Sequence, residues 1–453
     1  MMKYNFSPGP SKLNRSIIET VKENILEYGD SGVSILEISH RSDSFDEILF
    51  QTKKNLIKLF NIPNNYQLLF LQGGATFHNT FIANNISKNM STANLITGTW
   101  GKKTYEDFSK IRNTQKIRLE NNQIQDYMKN SSSVPNEIID YLHVTSNETI
   151  EGIQLREFSQ INNNLIIDSS SDIGSYRFDW DNVMYLYAGA QKNLGIPGVT
   201  ISIIRDDFIE QNDNPTYLNL SKLINKDSLL NTPPTFSIYV LKLVTDWMLN
   251  KGGVEYFEKQ SIDYSSELYA LLEKYNEHVV LPVEDSIRSR MNVVFNFKND
   301  KNEQAFIDES LDQNIIGIKG HRSVGGIRIS LYNSIDRSSV DYLLKFMDSF
   351  FEKEYENLND AILKAIVSSK EIQKILVKLK KKEEIDNMAV LNLFLSLDEL
   401  HEMISEKKNN SISYKLDPVE SKQSSDKNTE TEGEKFSPVK NGNFIDGKAL
   451  TLN

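Results

Sequence analysis

The sequence predicts an α/β protein built on a mostly parallel sheet, and three observations carry that expectation. Short apolar runs alternate with amphipathic stretches of helical period along most of the chain. Several runs stop at small or polar residues, as strands do at the carboxyl ends where ligands of open α/β sheets sit. The length of 453 residues suffices for two or three domains around a sizeable core.

Ser16–Leu26 sets Ile17, Ile18, Val21, Ile25 and Leu26 on one side and reads as a helix. Gln67–Leu71 reads as a buried strand and Phe77–Ile86 as the helix after it. Ala93–Thr97, Ile138–His143, Leu165–Ile167, Met184–Tyr187 and Val199–Ile204 are further strands. Phe236–Leu249 is an apolar helix stopped by Lys251-Gly252-Gly253. From about Ser261 a second α/β unit begins, with strands at Met291–Phe297 and Ile327–Leu331. Asp360–Lys382 has a helical pattern with a Lys-rich end at Lys378, Lys380, Lys381 and Lys382, which reads as a solvated helix end. Met388–Ile404 is a second apolar-patterned segment, and beyond Lys407 the polar composition predicts disorder.

Composition excludes several functions. The hydrophobic share of 39% is low, in keeping with a polar tail. With no Cys, disulfides, thiolate zinc sites and cysteine nucleophiles are ruled out. The six His show no HExxH spacing. A net charge of −11 argues against an extended nucleic-acid surface, although a pocket's local field can still favour small anions. No apolar run approaches the ~20 residues of a membrane span. The first residues, Met1-Met2-Lys3-Tyr4-Asn5, lack a signal-peptide pattern, so a cytoplasmic location is expected.

Two strand ends carry chemistry. Lys192 follows the apolar run Val183–Tyr187 in Tyr187-Ala188-Gly189-Ala190-Gln191-Lys192-Asn193-Leu194-Gly195. A lysine where the chain leaves the core can be partly desolvated, which lowers its pKa and suits it to bond an aldehyde. Taken alone it reads as a solvated loop lysine. Asp168 ends Leu165-Ile166-Ile167, and alone it reads as a turn or N-cap residue. Together, a strand-end acid and a later strand-end lysine suit a pyridoxal phosphate site.

Around this pair the chain resembles the phosphoserine aminotransferases, fold-type I pyridoxal phosphate enzymes of the class V aminotransferases. The motifs run in order: Asn5-Phe6-Ser7-Pro8-Gly9-Pro10, Glu37-Ile38-Ser39-His40-Arg41-Ser42, Leu71-Gln72-Gly73-Gly74-Ala75, Asn147-Glu148-Thr149-Ile150-Glu151-Gly152 and Tyr187–Gly195. They continue through Asn231-Thr232-Pro233-Pro234-Thr235-Phe236 and Lys319-Gly320-His321-Arg322-Ser323-Val324-Gly325-Gly326-Ile327-Arg328, covering roughly residues 3–352. The resemblance implies a large cofactor-binding domain over residues 1–260 and a small domain over 261–355. A helical extension at 356–407 and a tail at 408–453 have no counterpart in the family.

The activity implied is amino-group transfer between L-glutamate and 3-phosphohydroxypyruvate, giving O-phospho-L-serine and 2-oxoglutarate. The phosphohydroxythreonine step of pyridoxine synthesis is a further activity the resemblance suggests. By resemblance Lys192 holds the cofactor and moves protons, Asp168 pairs with the ring nitrogen, Trp100 stacks on the ring and Thr149 bonds its phenolic oxygen. Ala75, Thr76 and Gln191 match phosphate-binding positions. Between a strand and a helix, Gln72-Gly73-Gly74-Ala75-Thr76 suits an anion as well as it suits an empty turn. Asn231 and Thr232 match residues that reach the neighbouring subunit's phosphate, which implies a homodimer with shared sites. His40, Arg41, His321 and Arg322 fall where the family binds the substrate's phosphate or distal carboxylate, and Arg328 where it clamps the α-carboxylate.

Thr76 stands where some relatives have an arginine, and Pro8 where many have Ser or Ala. The Walker-like Gly101-Lys102 fails, because Ile96 stands where the first Gly would be and Lys103 is not Ser or Thr. Two other readings compete: a fold relative with a different substrate, disfavoured by the two His-Arg pairs, and an interaction role for the extension, added to catalysis.

Overall fold

In the computed structural model, which describes residues 3–129, 139–161, 164–210, 212–371 and 374, the apolar runs of the first half form one seven-stranded sheet. Across the sheet the order is Tyr66–Gln72, Val199–Arg205, Val183–Gly189, Asn164–Asp168, Tyr141–Thr145, Thr92–Ile96 and Gln115–Arg118. Val199–Arg205 is antiparallel to both its neighbours, and every other pair is parallel. Its connection, Ala190–Gly198, is shorter than the dozen or so residues a parallel crossover needs. The mostly parallel sheet expected from the sequence is present.

The central strands are buried on both faces, which is why they read as continuous apolar runs. Val183–Gly189, Tyr141–Thr145 and Thr92–Ile96 are buried throughout. Tyr185 and Tyr187 bring large aromatic area into the core, and each finds a partner for its hydroxyl. Tyr185 Oη donates to Ser202 Oγ at 2.9 Å, and Tyr187 Oη lies 2.9 Å from His143 Nε2. Burial pushes His143 down to about 3 and His78 to about 4, so both are neutral core imidazoles at physiological pH.

Helices cover the sheet. Asp43–Phe60 starts at Ser42, whose hydroxyl accepts from Phe45 N, with Asp43 and Asp46 in the first turn. It packs on Thr235–Lys251, where Asn55 Nδ2 donates to Thr245 Oγ1 at 3.1 Å. Thr235–Lys251 ends at Gly252, which takes φ +114° and continues into the helix Gly253–Lys274. A three-stranded antiparallel sheet follows, ordered Val279–Val280, Asn292–Phe297, Ile327–Ser330. Tyr4–Asn5 pairs in parallel with Ile315–Ile316, far along the chain.

Several boundaries differ from the sequence reading. The strand expected at Ile138–His143 runs from Tyr141 to Thr145, because Asp140 instead caps the entry, accepting from Ser91 N at 2.7 Å. Residue 261 falls inside the helix Gly253–Lys274, and residue 355 inside the helix Arg337–Ser368. Two compact units divide the chain, Met1–Phe351 and Glu352–Asn453. The expected segment Met388–Ile404, the lysines Lys378, Lys380, Lys381 and Lys382, and the tail beyond Lys407 lie outside the described residues. No helix among the described residues is long and apolar enough to cross a membrane, and none of their His, Asp and Glu side chains gather in threes to hold a metal ion.

Candidate active site

Beyond the carboxyl ends of the parallel strands lies a cavity of about 640 Å³, well within the range of cofactor pockets. Asp168 ends its strand beside Thr145 of the next one. Lys192 sits in the turn after Val183–Gly189, and Asn193 fixes that turn: its Nδ2 donates to Ile173 O at 2.9 Å and its Oδ1 accepts from Asn333 N at 3.0 Å. The Lys192 stem runs past Gly9, where an added Cβ would lie 3.5 Å from its Cγ.

The electrostatics of the pair follow from burial and proximity. Loss of water pushes the Lys192 amine down to about 8, and the nearby Arg328 charge adds to this while Asp168 opposes it. Burial pushes the Asp168 carboxyl up, against the pull of Ser170 and of Lys192. Ser170 N donates to Asp168 Oδ1 at 2.9 Å, which favours the ionised form.

Trp100 opens the helix Thr99–Ile111. Its indole Nε1 donates to Thr149 Oγ1 at 2.9 Å, leaving the Thr149 hydroxyl proton free to donate elsewhere. Lys192 Nζ lies 6.0 Å from the Trp100 ring centroid. Arg328 Nη1 donates to Thr149 O at 3.1 Å, while Arg328 Nε is buried without a hydrogen-bond partner. Thr145 Oγ1 is likewise buried and unpartnered. Both residues line the cavity, and unmatched polar atoms of this kind are what a bound polar ligand satisfies.

At another part of the cavity wall, Gly73 takes φ +90° and Gly74 precedes the helix Ala75–Asn85 with no side-chain cap. Phe77 N donates to Gly74 O at 3.0 Å, which leaves the N–H groups of Ala75 and Thr76 for an anion, and the helix dipole favours one. A lysine beside an acid, an aromatic ring held edge-on by a threonine and an uncapped helix start together fit pyridoxal phosphate.

One chain thus brings Ala75, Thr76, Trp100, Thr149, Asp168, Gln191, Lys192, His321 and Arg328 to a single cavity. His40, Arg41, Asn231, Thr232 and Arg322 are not among its lining residues. Arg41, Asn231, Thr232 and Arg322 are exposed and His40 is half-buried. Thr232 nonetheless touches the glycine loop, since Gln72 Nε2 donates to its carbonyl. Sequence reasoning missed Lys103, which lines the cavity with Nζ 4.4 Å from the Trp100 centroid. Its position three residues after Trp100 is the signal that could have found it, because i and i+3 share a helix face.

The family model for class-V aminotransferases matches residues 3–343. A phosphoserine aminotransferase of Bacillus cereus is 39% identical over 359 residues, spanning 78% of this chain and 99% of its own. A solved phosphoserine aminotransferase, studied for radiation damage of its Schiff base, aligns with a TM-score of 0.74 at 38% identity, covering 78% of this chain and 99% of that one. The pyridoxal-phosphate-bound phosphoserine aminotransferase of Trichomonas vaginalis aligns at 0.71 with 28% identity, over 76% of this chain and 99% of its own.

Proposed function

This chain belongs to the class-V aminotransferases, is similar along most of its length to their phosphoserine aminotransferases, and depends on pyridoxal phosphate; on that premise we propose that it moves an amino group between L-glutamate and 3-phosphohydroxypyruvate, a step of serine biosynthesis. The observation that carries the reading is the single cavity joining Lys192 and Asp168 to the cation Arg328 and to His321. When bound, pyridoxal phosphate supplies an aldehyde for the lysine and an electron-withdrawing ring for the substrate's α-carbon.

Each side chain then has a task. Lys192, with its amine near 8, is neutral often enough at neutral pH to take the α-proton and return it. Asp168 keeps a negative charge against the ring nitrogen. Thr149 donates to the phenolic oxygen, and Trp100 shields a ring face from water. Arg328, with Nε free, pairs in a fork with the α-carboxylate that both acids share. Ala75, Thr76 and Gln191 surround the cofactor phosphate.

The two acids differ in their tails, a phosphate and a carboxylate, and a cluster of cations accepts either in turn. His321 faces the tail from within the cavity with an imidazole able to donate a hydrogen bond. His40, Arg41, Asn231 and Arg322 lie outside it, as does Thr232, whose carbonyl accepts from Gln72 at the start of the glycine loop. A homodimer in which each subunit lends these residues to the other's site would complete the pocket. The same tail-reading cluster would admit a phosphorylated threonine relative as a second substrate.

Mixing the cofactor-loaded protein with O-phosphoserine, with serine and alanine as controls, tests this. Conversion of the cofactor to its amine form by phosphoserine alone is the expected result. Equal conversion by alanine or serine would keep the aminotransferase and discard the substrate.

A further inference from the structure

The helix that carries Trp100 begins without a cap of its own. Gly98 offers no side-chain hydrogen bond, yet the free N–H groups of the first turn all find acceptors. Thr99 N donates to Glu151 Oε1 at 2.9 Å, Trp100 N to Glu148 Oε2 at 2.8 Å and Gly101 N to Glu148 Oε1 at 2.7 Å. Thr99 Oγ1 adds a bond of 2.6 Å to Glu151 Oε1. Two carboxylates from a distant turn therefore replace the usual local cap.

Side chains larger than glycine would break this arrangement. A Cβ on Gly98 would lie 2.5 Å from Glu151 Oε2 and 2.7 Å from Glu148 Cδ. One on Gly101 would lie 2.8 Å from Leu95 O and 3.1 Å from Glu148 Oε1. Glu148 itself is fully buried. Burial and the neighbouring Glu151 push its carboxyl up to about 8, while the two N–H groups pull it down. A buried acid in that position costs stability unless its contacts return something.

The return is geometric. The turn Asn147–Gly152 carries both acids and also Thr149, whose hydroxyl receives the Trp100 indole and whose carbonyl receives Arg328. On its other side Asn147 Nδ2 donates to Ser171 Oγ and to Asn292 Oδ1, both at 2.8 Å. We infer that Glu148, backed by Glu151, is a positioning residue that locks Trp100, Thr149 and Arg328 into one frame around the cofactor. It touches neither cofactor nor substrate. Its effect passes through the backbone of Trp100, and the inference rests on the reading of Trp100 as the ring's stacking partner.

The test titrates pyridoxal phosphate into the full-length apoprotein, reading the dissociation constant from cofactor absorbance. In parallel the Trp100 indole resonance is followed by nitrogen-15 NMR, assigned with Trp100→Phe. Glu148→Leu keeps the size but removes both acceptors. It is expected to weaken cofactor binding about tenfold, shift the Trp100 resonance and speed its hydrogen exchange. Glu148→Gln retains one acceptor and is expected to recover part of the loss. Cofactor affinity and a Trp100 resonance unchanged in Glu148→Leu, with Trp100→Ala weakened, would overturn the inference. Wild-type affinity in Trp100→Ala would instead overturn the stacking role of Trp100. Should Glu148→Leu not fold, Thr99→Val deletes only the 2.6 Å bond to Glu151 and is expected to move the same resonance by less; no movement counts against the inference.

Discussion

Asp168 and Lys192 stand at the ends of buried strands, whereas Arg41 and Arg322 ride on exposed loops. The first pair is placed by the core. The second group is placed by loops and stays outside the cavity that it is proposed to serve. The acid and the lysine are thus placed by the fold, whereas on the reading proposed above the loops that carry Arg41 and Arg322 meet a site only when two chains assemble.

The sharpest way to separate the two groups is to remove a residue from each. Lys192→Ala should cut the phosphoserine half-reaction by roughly a thousandfold, because the proton carrier is lost while the pocket stays. Arg328→Ala should lower kcat/KM by about tenfold to a hundredfold with both glutamate and phosphoserine, since both present the same α-carboxylate. Arg41→Ala should cost about tenfold, mostly in KM, and leave pyridoxal phosphate affinity unchanged. Co-expressing Lys192→Ala with Arg41→Ala chains asks where Arg41 works. If it acts across the dimer, the mixed dimer regains one intact site and about half the wild-type rate per dimer. Without such recovery, Arg41 serves its own chain.

Smaller effects concern the cofactor pocket. Lys192 is held near 8 in the folded chain, below its ordinary value, so between these two the unfolded chain binds the extra proton. Compared with Lys192→Met, the apoprotein should therefore gain stability as pH rises above about 8, by at most ~1.4 kcal/mol per unit of the shift. Parallel thermal melts of the two apoproteins across that range measure it. Lys103→Met should change KM for the phosphorylated substrate only about threefold, as expected of an exposed cation.

Much of this was legible in the sequence because buried parallel strands write themselves as apolar runs. Leu165–Ile167 and Val183–Tyr187 are of that kind, and their ends mark Asp168 and Lys192. The edge strand Gln115–Arg118 was missed: it alternates half-buried and exposed positions and has one apolar residue. The helix Thr99–Ile111 was missed for a different reason. Its start is capped by Glu148 and Glu151, so no cap signal is written next to it. Ser42 and two early aspartates do announce Asp43–Phe60, and there the signal was present but unread. The position of Arg41 relative to a cavity is not encoded locally at all, because exposed loops carry no periodic pattern.

The pairing of Tyr4–Asn5 with Ile315–Ile316 has a practical side. Phe6 N donates to Ile316 O at 2.9 Å, and a few residues later Pro8, Gly9 and Pro10 form part of the cavity wall. Trimming past Phe6 removes the pairing that anchors the wall Lys192 leans against. A preparation cleaved near its amino terminus should be suspected first when cofactor is lost on the column.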